Sequence, residues 1–147
     1  MQWPNAETLY PYFGKYMLQQ FRPMELDKAL ERMIVLRVAK RSDCLYVRRQ
    51  NVVVGHSVGV TDQQIVALEA GDIKANCLRE AEQSVFSFTD EVMDLIEATD
   101  ETYAEMNNFS DRAITEMFYV TGTYMLVVRV LRTGRVPLDD EPAASPH

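Results

Sequence analysis

The fold is decided by residues 26–65, which read LDKALERMIVLRVAKRSDCLYVRRQNVVVGHSVGVTDQQI. In the first part of this segment the apolar residues recur at steps of three and four, which is the spacing of one helix face. They are Leu26, Leu30, Met33, Ile34 and Val38. The pattern predicts a helix that begins after Pro23. Glu25 and Asp27 fall in its predicted first turn, where negative charge suits the helix dipole.

The middle of the segment is ambiguous between strand and helix. Residues 45–47 (LYV) and 52–54 (VVV) are aromatic or β-branched and have strand propensity. The same stretch also forms one helical face, made by Cys44, Val47, Asn51, Val54 and Val58. Because the rest of the chain has helical patterns, we predict a helix here, and Gly59 is placed to end it.

The end of the segment carries a helix start signal. Thr61 and Gln64 have the spacing of a capping box, in which the threonine hydroxyl and the glutamine amide close the first turn. A short helix is therefore predicted from this point, ending before Gly71.

The rest of the chain adds further helices. We predict an aromatic-rich helix over Thr8–Leu18 and a short one near Glu101–Met106. Two long helices with apolar stripes are predicted over Cys77–Glu97 and Asp111–Arg132, the second capped by Ser110. The predicted fold class is all-α, a bundle of about six to seven helices without a sheet. The two long helices are expected to pack antiparallel.

Composition and charge limit the partners. The 147 residues and the net charge of -7 suit one domain, predicted as residues 1–138, followed by a flexible acidic tail, residues 139–147. An acidic chain lacks the basic face that a nucleic acid or an anionic membrane requires. Arg129 interrupts the longest apolar run, Met125–Leu131, so no membrane span is expected. Two cysteines without a signal-like start predict reduced thiols in the cytoplasm.

These patterns resemble the carboxymuconolactone decarboxylase/AhpD-like family over roughly residues 26–139. The resemblance implies an AhpD-like helical bundle that acts on a small-molecule substrate. It also implies a homo-oligomer, a trimer or a hexamer. The residues that carry it are Glu31–Ala39, Cys44–Tyr46, Val58–Ile65, Phe109–Phe118, Gly122, Tyr124 and Val136–Asp139.

The redox members of this family carry a glutamate, a Cys-x-x-Cys pair and a histidine one helical turn later. The resemblance places Arg32 at the glutamate, Cys44 at the first cysteine, Val47 at the second and Asn51 at the histidine; Tyr46 stands between the cysteine positions. Valine cannot close a disulfide, and a neutral amide cannot take up a proton. We therefore expect no dithiol relay.

Three residues are candidates for catalysis. Cys44 is a candidate nucleophile, because a helix N-terminus and the nearby Arg48 would favour its thiolate. Tyr46 is a candidate hydrogen-bond or proton donor, and Asn51 is a candidate for orienting a substrate carbonyl. Each also has an ordinary explanation, as a small core residue, a core aromatic and a polar helix residue.

Two arginines are candidates for substrate binding. Arg32 and Arg48 could hold a carboxylate with a bidentate fork, although either could instead form an ion pair on a helix face. The one internal histidine, His56, falls on another face of its predicted helix. With no carboxylate cluster at ligand spacing, we predict neither a metal site nor a cofactor.

Three functions remain open on the sequence. The first is a small-molecule enzyme with a repurposed, non-redox pocket, a decarboxylase, isomerase or cyclase acting on an anionic or carbonyl-bearing substrate. The second is a thiol peroxidase that uses Cys44 alone and an external thiol. The third is a non-catalytic binding or assembly protein. Polar and reactive residues at the replaced positions favour the first.

Overall fold

The computed structural model describes residues 6–137, and their regular secondary structure is entirely helical. The described helices are α1 (Tyr10–Gln19), α2 (Lys28–Arg41), α3 (Leu45–Ser57), α4 (Asp62–Ala70), α5 (Glu80–Leu95), α6 (Asp100–Ala104), a 3₁₀ helix (Glu105–Asn108) and α7 (Asp111–Thr133). The all-α prediction is confirmed, including a helix where residues 45–47 and 52–54 have strand propensity. The predicted acidic tail, residues 139–147, lies outside the described residues, and the single-domain assignment stays a prediction.

The centre of the fold is α2. Its residues Leu30–Ala39 are all buried, because α3, α4, α5 and α7 pack around it. A helix in that position is buried on every side, so the single apolar stripe that the sequence suggests describes only part of its environment. Three charged residues, Glu31, Arg32 and Arg37, are among those buried, and each needs a partner inside the protein.

The contacts of α2 with α7 show that these helices run in the same direction. The Leu26 N–H, just before α2, donates to Glu116 near the start of α7, at 2.8 Å. Farther along both helices, an Arg32 nitrogen donates to the Tyr124 hydroxyl at 3.2 Å. Both residue numbers increase together from one contact to the next, which is the register of a parallel pair.

The contacts of α2 with α5 have the same register. Arg37 forms a bidentate pair with Asp90, at 2.8 and 2.6 Å, and one turn later Arg41 pairs with Asp94 at 2.7 Å. Since α5 and α7 are each parallel to α2, they are parallel to each other, and the antiparallel prediction for the two long helices is wrong. The chain between α5 and α7 returns to the N-terminal end of α5 through α6 and the 3₁₀ helix, which pack back on α5.

Helix ends follow the sequence signals closely. Thr61 and Gln64 form the predicted capping box, and α4 ends at Gly71 with a φ of 78°. Ser110 accepts a hydrogen bond from the Ala113 N–H, as expected of an N-cap. Asp27 has a different place from the one predicted, because it is the N-cap of α2 itself and accepts from the Leu30 N–H.

Among the described helices, α7 is long and apolar enough by length and composition to cross a membrane, with a mean hydropathy of 1.2 in its most apolar window. In this fold Met117, Val120 and Val128 of α7 are core residues, which accounts for part of that apolar composition. Its buried face packs against α2 and brings Tyr124 to the interior.

Candidate functional site

Arg32 is the centre of a buried polar cluster. Its side chain is 4% exposed and makes three described hydrogen bonds. Nη1 donates to the Asn51 amide oxygen at 2.9 Å and to the Tyr124 hydroxyl at 3.2 Å. Nη2 donates to Glu31 Oε1 at 2.6 Å. Three helices, α2, α3 and α7, therefore meet at one guanidinium group, and its Nε–H has no described hydrogen-bond partner within residues 6–137.

The charges of the cluster are arranged around Glu31. This carboxylate is fully buried, and it accepts from Arg32 through one oxygen and from Lys28 Nζ through the other, at 2.9 Å. Lys28 Nζ also donates to the Gln20 main-chain carbonyl at 2.6 Å. Two cations share one anion, which leaves one net positive charge. Because both Glu31 oxygens are engaged, this carboxylate is not free to act as a base.

Phe21 covers the cluster at its outer side. The Arg32 guanidinium carbon lies 5.6 Å from the centre of this ring, within the range of a cation–π contact. The Phe21 residue is itself 56% exposed. The ring thus has one side on the cation and another toward solvent, and it belongs to the segment that joins α1 to α2.

The orientation of Asn51 is fixed by its own helix. Its amide nitrogen donates to the Val47 carbonyl one turn earlier, at 2.9 Å, and this directs the amide oxygen toward Arg32. The Tyr124 hydroxyl oxygen accepts from Arg32, and no described residue accepts the hydroxyl hydrogen. A group placed beside Tyr124 would therefore meet a hydrogen-bond donor.

Cys44 lies in the apolar core and not in this polar cluster. The residue is 4% exposed, stands at the N-cap of α3 and makes no capping bond with its side chain. One turn along, Val47 is 3% exposed. The second cysteine, Cys77, is partly buried and its sulfur donates to the Gln63 carbonyl at 3.5 Å. Both cysteines are free thiols.

The remaining predicted site residues lie outside the Arg32 cluster. Arg48 pairs with Glu69 of α4 at 2.6 Å, and both side chains are about one-third exposed, at 39% and 33%. Tyr46 is partly buried and packs against the core. His56 lies 3.5 Å from Asp62 on the surface. The structure thus brings together Arg32 and Asn51, whereas the roles proposed for Cys44, Tyr46 and Arg48 stay predictions.

Two members of the cluster were not predicted as site residues. Tyr124 appeared in the sequence as part of an apolar helix stripe and of the family resemblance, without a role of its own. Its hydroxyl, the one polar group in that stripe besides Thr121, was the available signal. Glu31 appeared as a neighbour of Arg32 able to pair with it. Within residues 6–137, no three His, Cys, Asp or Glu side chains lie close enough to hold a metal ion.

Solved structures with a similar fold are known. A protein of unknown function from Agrobacterium tumefaciens, described as a candidate antioxidant defence protein AhpD, superposes with a TM-score of 0.79 at 19% identity, over 94% of this chain and 93% of the other. A peroxidase-related protein from Ralstonia eutropha with an alkylhydroperoxidase AhpD core superposes with a TM-score of 0.80 at 16% identity, over 92% of this chain and 73% of the other. A peroxidase-related protein from a Silicibacter species superposes with a TM-score of 0.79 at 17% identity, over 89% of this chain and 70% of the other.

No family model matches the chain, and no curated protein matches it in sequence. At 16 to 19% identity the structural likeness concerns the fold. It extends over about nine-tenths of the chain. The chain therefore has the all-α, AhpD-like helical fold.

Proposed function

We propose that this chain is a small-molecule enzyme in which the Arg32–Asn51–Tyr124 cluster acts on an anionic or carbonyl-bearing substrate without redox chemistry. One observation supports the proposal most. Arg32 and Asn51 stand where the resemblance places the glutamate and histidine of the redox members, and here they are bonded to each other and to Tyr124. A pair suited to proton transfer has been replaced by a pair suited to binding and polarising oxygen.

Each of the three residues has a role that follows from its contacts. Arg32 supplies a positive charge in a site with little water, where charge stabilisation is strongest. Tyr124 has a hydroxyl hydrogen free to donate to a substrate carbonyl oxygen. Asn51 holds the guanidinium in place through its amide oxygen, which its own helix orients. Negative charge that develops on the substrate oxygen would face two donors.

Decarboxylation of a β-oxo acid suits this set best. The bond to the carboxylate breaks, its electron pair moves through the adjacent carbon onto the carbonyl oxygen, and CO₂ leaves; a proton from water then returns to that carbon. No base is needed in the bond-breaking step. Isomerisation or cyclisation through proton abstraction would need one, and the buried cluster offers only Glu31, which is engaged by Arg32 and Lys28.

The test is CO₂ release from a panel of β-oxo acids by wild type and by Tyr124→Phe. Removing one preorganised donor to a developing oxyanion lowers kcat by about 100-fold or more. Tyr119→Phe is the matched control, because that tyrosine is on the same helix and is 60% exposed. Equal rates for Tyr124→Phe and wild type, or no turnover of any acid, would contradict the proposal.

Adding a hydroperoxide with an external thiol to this panel separates the two other functions. A Cys44 thiol peroxidase would consume a hydroperoxide with an external thiol, and Cys44→Ser alone would abolish that activity. The burial of Cys44 in the apolar core does not favour this function. A binding or assembly protein would turn over neither class of compound.

A further inference from the structure

Gln20 is a buried polar residue beside the cluster whose side chain makes no described hydrogen bond. It is 5% exposed, and within residues 6–137 neither its amide oxygen Oε1 nor its amide nitrogen Nε2 has a hydrogen-bond partner. Burying a primary amide without partners is unfavourable, because both groups lose their hydrogen bonds to water. A methionine or leucine would fill the same space without that cost. The amide therefore needs an explanation.

The backbone of Gln20 is joined to the cluster by two contacts. Its carbonyl accepts from Lys28 Nζ at 2.6 Å, and Lys28 in turn holds Glu31. The next residue, Phe21, lies over the Arg32 guanidinium at 5.6 Å. The backbone of Gln20 is therefore held at the edge of the Arg32 cluster, where α1 ends and the segment leading to α2 begins.

We infer that Gln20 is a further substrate-binding residue, and that the substrate carries a planar group with an acceptor and a donor side by side. This inference rests on the proposed function, since it deepens the same site. The Gln20 amide offers one donor and one acceptor, and a carboxamide is the group that matches both at once. Lys28 and Arg32 supply positive charge for a carboxylate at the other end. The ligand class is therefore a small carboxylate that bears a carboxamide.

Two isosteric probes test this without any need for turnover. Succinamate and levulinate share a carboxylate and a planar carbonyl end, but the first ends in an amide and the second in a methyl ketone. Ligand-observed NMR titration of the full chain should show that succinamate binds about tenfold or more tightly than levulinate, because only the amide meets both Gln20 groups. In Gln20→Met the two probes should bind equally. Gln19→Met, which changes the exposed neighbour, should keep the preference.

The inference is overturned if wild type shows no preference, if the preference persists in Gln20→Met, or if a crystal structure with succinamate shows only water on the Gln20 amide. Gln20→Met should fold, because it removes an unpartnered amide from the interior, and its melting temperature verifies this. Tyr124→Phe should retain the amide preference. If that variant has unchanged CO₂ release while the preference stands, the proposed function fails and the ligand site does not.

Discussion

Replacing Arg32 with methionine is the sharpest test of the buried cluster, because every described hydrogen-bond partner of the guanidinium is buried. In Arg32→Met the Glu31 carboxylate stays fully buried and retains only Lys28. The Asn51 amide oxygen and the Tyr124 hydroxyl each lose their bond to the cation. Methionine fills much of the volume of the arginine stem, so the change acts mainly on charge and hydrogen bonding.

The expected cost follows from those losses. Removing one partner of a buried ion pair destabilises a protein by about 3–5 kcal/mol, and here the fully buried Glu31 carboxylate keeps only the partly exposed Lys28 as a partner. For a chain of this size each kcal/mol lowers the melting temperature by about 2–4 °C, so a fall of about 6–20 °C is expected. A loss of this size is a large part of the stability of an ordinary domain.

The assay is urea unfolding followed by circular dichroism, with Arg48→Met as the matched control. Arg48 forms its pair with Glu69 near the surface, with the side chains 39% and 33% exposed, and such pairs contribute about 0–1 kcal/mol. A double variant, Glu31→Gln with Arg32→Met, removes the buried carboxylate that has lost its Arg32 partner and should recover part of the loss. The two substitutions are therefore expected to be strongly non-additive.

Two results would refute this reasoning. If Arg32→Met costs no more than Arg48→Met, the interior pair does not stabilise the fold in the way its contacts indicate. If the double variant is as unstable as the sum of the two single variants, the cost in Arg32→Met does not come from the Glu31 charge. Lost packing would then be the better explanation.

The remaining predictions concern acid stability, capping, the thiol and assembly. Burial opposes ionisation of Glu116, but hydrogen bonds from the Leu26 N–H and an arginine outweigh it and hold the pKa below its usual 4.5; Glu116→Gln should therefore be less stable than wild type at pH 7, with the difference, measured by pH-dependent unfolding, shrinking as the pH falls below about 4.5 and vanishing once the pH is below the pKa of Glu116 in the folded protein. Thr61→Ala should cost about 1 kcal/mol in urea unfolding, because it breaks the capping box of α4. Cys44 should react with a thiol reagent more slowly than the exposed thiol of a small peptide, and equal rates would contradict its burial. Sedimentation at micromolar concentration should show a homo-oligomer, since Tyr12 of α1 is 69% exposed beside an apolar groove of about 420 Å³; a 16.9 kDa monomer would contradict this.

Local signals predicted the helices well, because their causes lie within a few residues. The capping box at Thr61 and the N-cap at Ser110 depend on contacts three residues apart, and both formed as expected. Apolar spacing alone favoured a helix through the ambiguous segment, where Val47 and Asn51 lie on its buried face. Helix direction has no such local cause. The parallel arrangement of α5 and α7 depends on where α6 takes the chain.

The candidate site divides in the same way. The pairing of Arg32 with Asn51 was accessible, because the resemblance assigned both residues to positions of one functional motif. Tyr124 lies 92 residues after Arg32, on α7. Gln20 is the C-cap residue of α1, a helix with no buried residue of its own. Their place near the cluster depends on how α7 packs on α2 and on where the chain runs after α1. No spacing in the sequence reports that packing.

The chemistry that we propose follows from this long-range packing more than from the motif positions that the resemblance assigns. An arginine and an asparagine on neighbouring helices would by themselves form a satisfied structural pair. Tyr124 adds a donor whose hydrogen has no described acceptor, and Gln20 adds an amide with neither of its groups satisfied. A cluster built only for stability would leave neither unused, since unpaired polar groups weaken the fold. Tyr124 contacts Arg32 itself, and the backbone of Gln20 contacts Lys28, which shares the Glu31 carboxylate with Arg32. We expect such a concentration of unused polar groups around one cluster in a binding site.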